Sequence, residues 1–265
     1  MSDFDGRVVV ITGAGTGIGR VLAQRFAARG GHVVLCARRV DRLEETAALV
    51  REQGGRALVV PMDIRDPADV ERGFATAQAE LFRVDVLVNN AAGNFIVRGD
   101  ELTPNGWLAV INIVLNGTFF CTRAAGRMML ASGGGKILSV VASYAWTGGP
   151  GTVHSAAAKA GVIAMTRTLA VEWARGDVQV NCLCPGFVDT DQSREVLWPT
   201  DEARQRILER IPAGRMGGVE EVADAGIFLC SDAARYITGE VLTIDGGEWL
   251  NKGAFALPDA AENGP

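Results

Sequence analysis

Short apolar segments alternate with longer helical segments along the whole chain, and this alternation constrains the fold more than any other feature. Seven segments rich in β-branched residues are predicted to be strands, at residues 7–12, 32–37, 57–62, 84–89, 136–141, 179–184 and 240–244. Their apolar runs are continuous rather than alternating with polar residues. Such runs indicate strands that are buried on both faces, as in a parallel sheet.

Helical periodicity fills the intervals between these strands, and the predicted helices cover residues 18–29, 41–52, 67–81, 151–173 and 219–230. Strand–helix alternation predicts right-handed βαβ units and a sheet covered by helices on both faces. No linker divides the chain, so residues 1–265 are expected to form a single domain. Residues 189–218 are an expected substrate lid, and residues 248–265 are a tail that either docks on the domain or forms an oligomer contact.

Composition excludes several functional classes. The net charge of -5 gives no reason to expect binding to nucleic acid or to an anionic membrane. No secretory signal is evident, and no apolar run is expected to reach membrane-spanning length. The five cysteines lack the spacing of a zinc site and are expected to be buried thiols in a reducing compartment. The chain is therefore expected to be cytoplasmic, without a metal.

A glycine-rich motif directly follows the first predicted strand and opens the first helix. It contains Gly13, Gly15, Thr16, Gly17, Ile18 and Gly19. Glycines in this context allow a tight turn and a close approach to a pyrophosphate, whose charge the helix N-terminus favours. The motif predicts a dinucleotide site of the Rossmann type.

Two arginines, Arg38 and Arg39, end the second strand where an NAD-specific site would place a carboxylate. Guanidinium groups suit a 2′-phosphate, so NADP(H) is the expected cofactor. The alternative is that both arginines only solvate the start of the next helix. Asp63, followed by Ile64, closes the third strand, where its carboxylate either accepts from the adenine amino group or caps the turn into the next helix.

Small residues and amides end the fourth strand, including Asn90, Ala91 and Gly93. With the glycine motif, Pro185 and Gly186 after the sixth strand, and Asp245-Gly246-Gly247 after the seventh, the chain resembles the short-chain dehydrogenase/reductase family almost throughout. The resemblance implies cofactor contacts at Asn90, Ala91, Gly93, Pro185, Gly186 and Val188. The resemblance implies a doubly wound, seven-stranded parallel sheet in the order 3-2-1-4-5-6-7. It also implies a homotetramer with residues 151–173 at an interface.

The usual catalytic residues of that family are missing. If Lys159 is the conserved-motif lysine, Ser155 stands at the tyrosine position, Ala142 at the serine position and Val114 at the asparagine position. Either the protein is inactive or its chemistry is arranged differently.

A different arrangement is favoured by a narrower resemblance, to the 2,4-dienoyl-CoA reductases of this family. It rests on residues 89–96, residues 113–118, a tyrosine fifteen residues before Lys159, and residues 155–161. The resemblance implies that Tyr144, on the loop after the fifth strand, is the catalytic tyrosine and that Lys159 binds the nicotinamide ribose. Asn94 and Ser155 would be polar groups beside the substrate. Phe95 and Thr103 match acyl-CoA contacts, and Arg194 lies near a CoA-binding arginine.

The chemistry agrees with a displaced tyrosine. Hydride transfer to C5 of a 2,4-dienoyl thioester sends negative charge through a dienolate to the thioester oxygen, away from the usual tyrosine position. Tyr144, aided by Asn94, would meet that charge, and protonation at the α-carbon gives a 3-enoyl-CoA. Lys159, if close enough, is expected to favour the ionised phenol.

Other interpretations remain open. Tyr144 could pack beside Trp146, Ser155 could be a small helix-surface residue, and His154 is expected to pack rather than to catalyse. The competing functions are a 2-enoyl-CoA reductase, a ketoreductase, and a non-catalytic NADP-binding sensor or scaffold.

Overall fold

The computed structural model describes residues 3–190, 193–194, 198 and 200–251. Its centre is a seven-stranded parallel sheet in the order β3-β2-β1-β4-β5-β6-β7, which confirms the predicted order. The strands are β1 (Val8–Thr12), β2 (His32–Ala37), β3 (Arg56–Pro61), β4 (Val86–Asn89), β5 (Gly135–Val140), β6 (Val178–Pro185) and β7 (Val241–Ile244).

The helices cover the sheet on both faces. They are Gly17–Ala28, Val40–Glu52, Pro67–Leu81, Pro104–Ile111, Thr118–Ser132, Tyr144–Thr147, Val153–Trp173, Asp201–Leu208 and Val219–Cys230, with a π-helical segment at Asn112–Gly117. Short 3-10 turns lie at Ala174–Gly176, Asp232–Ala234 and Glu248–Leu250. The predicted elements agree within two residues at each end. One helix begins at Val153 rather than at residue 151 because Gly151 has a φ of 78°, which a helix cannot contain.

The sheet explains why its strands are apolar without alternation. Val9 and Ile11 of β1 lie in a hydrophobic core on one face of the sheet, together with Phe26. Val8 and Val10 of the same strand lie in a second core on the other face. Consecutive side chains point to opposite faces, so a strand that is covered twice needs an apolar residue at every position.

One expectation from the sequence is wrong. The helical stretch Pro104–Ser132 is 29 residues long and contains an 18-residue window with a mean hydropathy of 1.4, so by length and composition it could cross a membrane. No helix is predicted there from the sequence. Within this stretch, Cys121, Ala125 and Met129 are fully buried in the core on one face of the sheet. Its apolar character therefore serves packing against the strands.

All five cysteines lie in the described part of the chain and are buried free thiols, as expected. Burial raises the pKa of the Cys36 thiol to about 12, so it stays protonated at neutral pH. Of the two irregular segments, the expected lid contains the helix Asp201–Leu208. The expected tail contains the turn Glu248–Leu250, and its residues 252–265 lie outside the described residues.

Candidate active site

A cleft of about 480 Å³ opens at the carboxyl ends of the central strands, where ligands bind in open α/β sheets. Most of the residues selected from the sequence line it. These are Gly13, Gly15, Thr16, Gly17, Ile18, Arg38, Arg39, Asp63, Ile64, Asn90, Ala91, Gly93, Asn94, Tyr144, Ser155 and Lys159. The fold thus brings the nucleotide motif and the candidate catalytic residues into one cleft.

Three glycines of the motif are required by close backbone packing. A Cβ on Gly13 would lie 2.9 Å from the Cα of Ala91, and one on Gly15 would lie 2.9 Å from the Cβ of Arg42. A Cβ on Gly19 would lie 2.3 Å from the carbonyl oxygen of Gly13. Gly19 therefore presses the first helix against the loop and does not itself line the cleft. The result is a tight, flat loop that a pyrophosphate could approach.

The N-terminus of the helix Gly17–Ala28 faces the same loop. Its N-cap residue, Thr16, makes no side-chain capping bond, so the amides of the first turn have no intrahelical acceptor and none from the cap. Amides in this position, with the positive end of the helix dipole, favour an anion. The glycine loop and helix terminus together fit the pyrophosphate of a dinucleotide.

Polar side chains tie the strand ends together beneath the cleft. Thr12 Oγ1, at the end of β1, accepts from the backbone amides of Asn90 and Ala91, both at 3.1 Å. The side chain of Asn90 donates back to the carbonyls of Thr12 and Gly13. Asn89 Nδ2 donates to Ser139 Oγ on β5 at 3.3 Å. The amide residues after β4 therefore fix the register of the strands that carry the site.

Positive charge surrounds the end of β2. Arg38 and Arg39 are both exposed at the cleft wall, and Arg42 lines it from the next helix. The helix Val40–Glu52 begins with Arg39 as its N-cap, without a side-chain capping bond. Arg42 pairs with Glu45 at 2.9 Å, so Arg38 and Arg39 are the guanidinium groups whose charge suits a 2′-phosphate.

Asp63 caps the turn into the following helix, since its carboxylate accepts from the backbone amide of Arg65 at 3.0 Å. The N-cap of the helix itself is Asp66, whose carboxylate accepts from the amide of Ala68. The Asp63 carboxylate also pairs with the Arg65 side chain at 2.5 Å, and this hydrogen bond lowers the pKa of Asp63. Asp63 is therefore a carboxylate at the cleft wall that can accept from an adenine amino group.

The candidate catalytic residues form one cluster. Ser155 and Lys159 are one turn apart on the helix Val153–Trp173, so their side chains share a face. Tyr144 lies in the short helical turn Tyr144–Thr147, rather than in an irregular loop as predicted, and its Oη is 3.0 Å from Ser155 Oγ. Lys159 Nζ donates to the carbonyl oxygen of Val140 at 2.5 Å. All three side chains line the cleft, and the catalytic role of Tyr144 stays a prediction.

Burial controls the protonation of this cluster. It lowers the pKa of Lys159 from 10.5 to about 8. It also raises the pKa of Tyr144, and the hydrogen bond to Ser155 offsets this increase only in part. The lowering of the phenol's pKa that was expected if Lys159 lay close enough is not found, because burial is the largest influence on Tyr144 and acts in the opposite direction. Tyr144 is a neutral phenol at neutral pH and can donate a hydrogen bond.

Of the residues expected beside the substrate, Asn94 lines the cleft, whereas Phe95 and Thr103 do not. Asn94 lines the cleft, and its Oδ1 accepts from the amide of Phe95 at 2.9 Å, which leaves the side-chain amide nitrogen as the group to donate to a ligand. Phe95 lies outside the cleft lining, edge-on to the buried ring of His154 with centroids 4.5 Å apart. Thr103 is the N-cap of Pro104–Ile111 and accepts from the amide of Gly106. Contacts of Phe95 and Thr103 with an acyl-CoA stay predictions.

Four residues that were selected from the sequence at and after the end of β6 lie outside the cleft lining, namely Pro185, Gly186, Val188 and Arg194. Pro185 is the last residue of that strand, and a Cβ on Gly186 would lie 2.5 Å from the Cβ of Asp245. Val188 is buried and forms a bridge with Gly217. Arg194 forms an ion pair with Asp189 at 2.6 Å. The cofactor and CoA contacts predicted for these residues stay predictions.

Several cleft residues were not foreseen from the sequence, namely Ala37, Arg42, Met62, Ala92, Ile113, Thr190 and Ser193. Ile113 lies in the π-helical segment Asn112–Gly117, a type of distortion that often occurs at functional sites. Thr118 Oγ1 donates to the carbonyl of Val114 in that segment at 2.7 Å. Arg42 could have been predicted to line the cleft, since it stands four residues after Arg38. The other residues are small or apolar, and nothing in the sequence indicates that they line the cleft.

Comparisons with known proteins agree with this geometry. A family model described as enoyl-(acyl carrier protein) reductase matches residues 13–248. A probable 2,4-dienoyl-CoA reductase [(2E)-enoyl-CoA-producing] of Bacillus subtilis is 44% identical, over 94% of this chain and 99% of its own length. A probable 2,4-dienoyl-CoA reductase 3 [(3E)-enoyl-CoA-producing] of Caenorhabditis elegans is 38% identical, over 92% and 80%. A 3-oxoacyl-[acyl-carrier-protein] reductase of Escherichia coli is 36% identical, over 94% and 99%.

Solved structures give the same result. A short chain dehydrogenase from Bacillus anthracis is 44% identical with a TM-score of 0.84, covering 92% of this chain and 96% of that one. A dehydrogenase from Agrobacterium tumefaciens with bound NADP is 36% identical with a TM-score of 0.87, covering 95% and 99%. The sheet order, the glycine loop and these matches lead to one conclusion: the chain is an oxidoreductase that belongs to the short-chain dehydrogenase/reductase family.

Proposed function

We propose that this protein is an NADPH-dependent 2,4-dienoyl-CoA reductase that forms a 3-enoyl-CoA. The observation that carries the proposal is the hydrogen bond of 3.0 Å between Tyr144 Oη and Ser155 Oγ inside the nucleotide cleft. The helix position that usually supplies the acid carries a serine, and that serine holds a phenol from another element. The two probable dienoyl-CoA reductases support the same function.

NADPH, when bound, would supply a hydride to C5 of the dienoyl chain. Side chains of the cleft would stabilise the negative charge that develops on the thioester oxygen. As the C4=C5 electrons move towards the thioester, the neutral phenol of Tyr144 donates to the thioester oxygen, while Ser155 donates to the phenol oxygen. The side-chain amide of Asn94 is a second donor. A donor placed where the charge develops is typically worth on the order of 10²–10³ in rate.

Lys159 has a separate role in the proposal. Its ammonium donates to the Val140 carbonyl at the end of β5 and is thereby fixed in the cleft that Tyr144 also lines. There it would bind the ribose hydroxyls of the nicotinamide nucleotide and add positive charge near the dienolate. The pKa of about 8 keeps Lys159 mostly protonated at neutral pH.

The preference for NADPH over NADH rests on Arg38 and Arg39 at the end of β2. Asp63 lines the same cleft, but Arg65 engages its carboxylate, so it adds little repulsion towards a 2′-phosphate. The similar structure from Agrobacterium tumefaciens contains NADP, which agrees with this preference.

The position of the new double bond follows from where the dienolate is protonated. Protonation at C2 leaves the double bond at C3, whereas protonation at C4 leaves it at C2. The two related reductases carry names with different products, (2E) and (3E). Because the donors of this site surround the thioester end, we propose protonation at C2. Reaction in D₂O should then yield a 3-enoyl-CoA with deuterium at C2, and deuterium at C4 would contradict the proposal.

Assembly and location are part of the proposal as well. Val153 and Val171 of the helix Val153–Trp173 are exposed, as are Phe119 and Leu130 on the neighbouring helix. Apolar residues exposed on adjacent helices are typical of an oligomer interface, which agrees with a homotetramer. Five reduced, buried cysteines agree with a cytoplasmic protein.

A substrate panel tests the function. The protein is incubated with NADPH and, in separate assays, 2,4-hexadienoyl-CoA, 2-hexenoyl-CoA or acetoacetyl-CoA, and absorbance at 340 nm is followed. Oxidation of NADPH with the dienoyl thioester alone supports the proposal. Oxidation with 2-hexenoyl-CoA indicates a 2-enoyl-CoA reductase, and oxidation with acetoacetyl-CoA indicates a ketoreductase. NADPH binding without turnover of any substrate indicates a nucleotide-binding sensor.

A further inference from the structure

Two tryptophans connect the C-terminal turn with the turn that carries the candidate acid. Trp146 lies two residues after Tyr144 in the turn Tyr144–Thr147, and Trp249 lies in the turn Glu248–Leu250. Their ring centroids are 5.1 Å apart with an angle of 40° between the planes. Aromatic pairs at this distance stabilise each other beyond their buried area.

The C-terminal turn is firmly anchored on its other side. The carboxylate of Asp245 accepts from the amides of Gly247 and Trp249, at 2.9 and 2.8 Å. Glu248 is only 4% exposed and pairs with Arg210 at 2.6 Å. Asp245 in turn packs against Gly186 at the end of β6. The ring of Trp249 therefore stands on a base that is fixed to the sheet.

The turn that carries Tyr144 is held on one side by the sheet and the long helix, since Ala145 packs against a buried cluster that contains Val162 and Tyr144 is hydrogen-bonded to Ser155. It is one helical turn, held by backbone hydrogen bonds from Ala145, Trp146 and Gly148 to residues within the same turn or directly before it. Gly148, with a φ of 66°, and Gly149 follow at once, so the backbone beyond the turn is intrinsically flexible. An isolated turn of this length is not stable without tertiary contacts. Ala145 supplies such a contact on the side of the long helix, and the ring of Trp249 supplies it on the side of Trp146.

We infer that Trp249 is a positioning residue for the reaction: its ring, anchored through Asp245 and Glu248, holds the Trp146 side of the short turn and thereby fixes the phenol of Tyr144 in the cleft. The inference rests on the proposed role of Tyr144 as the hydrogen-bond donor. Trp249 itself lines no part of the cleft and is not a catalytic residue.

The sequence offers a direct readout, since the chain contains two tyrosines, Tyr144 and Tyr236. Tyr236 is fully exposed and serves as an internal reference. Protein labelled with ¹³C at the tyrosine Cζ should give two NMR signals, which Tyr236→Phe assigns. In Trp249→Ala the Tyr144 signal should move, and its titration should shift towards the ordinary phenol value, because water reaches a phenol that burial now protects. The Tyr236 signal should stay unchanged.

Kinetics provide the second readout. With 2,4-hexadienoyl-CoA, Trp249→Ala should lower kcat on the order of tenfold, since misplaced catalytic groups cost rate rather than affinity. The Kd for NADPH should stay within about twofold. Trp249→Phe retains an aromatic ring and should recover most of kcat. Leu250→Ala is the matched control, because Leu250 is 69% exposed in the same turn and should leave both constants unchanged.

Each result decides the inference. A Tyr144 signal and kcat that are the same in Trp249→Ala and in the wild type overturn it. It is also overturned if Leu250→Ala has the same effect, or if kcat and NADPH affinity fall together without recovery in Trp249→Phe. If the wild-type protein reduces none of the thioesters, the proposed function fails, and the NMR signal of Tyr144 alone decides whether Trp249 positions the phenol.

Discussion

Substitution of Lys159 by methionine should stabilise the cofactor-free protein at neutral pH. The Lys159 side chain is 8% exposed, and burial lowers its pKa from 10.5 to about 8. At about 1.36 kcal/mol for each pH unit between the two values, the buried ammonium costs about 3 kcal/mol. This cost reflects a general trade between stability and function, in which an active site retains a group that destabilises the fold.

The sign of the pH dependence follows from the lowered pKa. Below pH 8 Lys159 is protonated in both the folded and the unfolded state, so the whole cost is present. Between pH 8 and 10.5 the folded state releases its proton first, and stability rises with pH. Relative to Lys159→Met, the wild-type protein should therefore gain about 2.5 kcal/mol between pH 7 and pH 10.

Urea denaturation without cofactor, followed by tryptophan fluorescence at pH 7 and pH 10, measures this difference. Comparing the two pH values cancels the changes in packing and hydrogen bonding that the substitution also causes. Val162→Ala, a buried and uncharged position on the same helix, is the control and should destabilise equally at both pH values. A difference between wild type and Lys159→Met that does not change with pH would refute the reasoning.

Three further outcomes are expected. Arg38→Ala should weaken NADPH binding on the order of tenfold or more but leave NADH binding nearly unchanged, because only NADPH carries a 2′-phosphate. Equal losses in titrations with both nucleotides would argue against a 2′-phosphate site. Gly19→Ala should lower the melting temperature and abolish NADPH binding, because the new Cβ would lie 2.3 Å from the Gly13 carbonyl; unchanged nucleotide affinity would show that the loop can move. Asn94→Ala should lower kcat with little effect on the Kd for NADPH, and steady-state kinetics with unchanged kcat would remove it from the site.

The sheet and the nucleotide loop could be predicted from the sequence because their constraints are local. Continuous apolar runs arise only where a strand is covered on both faces, and β1 supplies both cores. The glycines are needed wherever a Cβ would meet backbone, as at Gly13 and Gly19. In both cases, a short stretch of sequence is enough to predict the local structure.

Other features depend on contacts between distant segments, and the sequence did not reveal them. The helical stretch Pro104–Ser132 has an apolar pattern interrupted by the π-helical segment Asn112–Gly117, which breaks the regular helical period. The contact between Trp146 and Trp249 joins residues about a hundred positions apart. The pKa of Tyr144 likewise depends on the residues that bury its side chain, and these come from distant parts of the sequence. The predicted direction of its pKa shift was wrong for that reason.

The central claim is that a phenol from outside the long helix serves as the donor to the developing negative charge. Tyr144→Phe tests it most directly, because the substitution removes the hydroxyl next to Ser155 and keeps the ring. We expect kcat with 2,4-hexadienoyl-CoA to fall on the order of 10²–10³-fold. The Kd for NADPH, measured by fluorescence, should stay within about twofold, since the phenol is not part of the nucleotide loop. A kcat equal to that of the wild type would contradict the account.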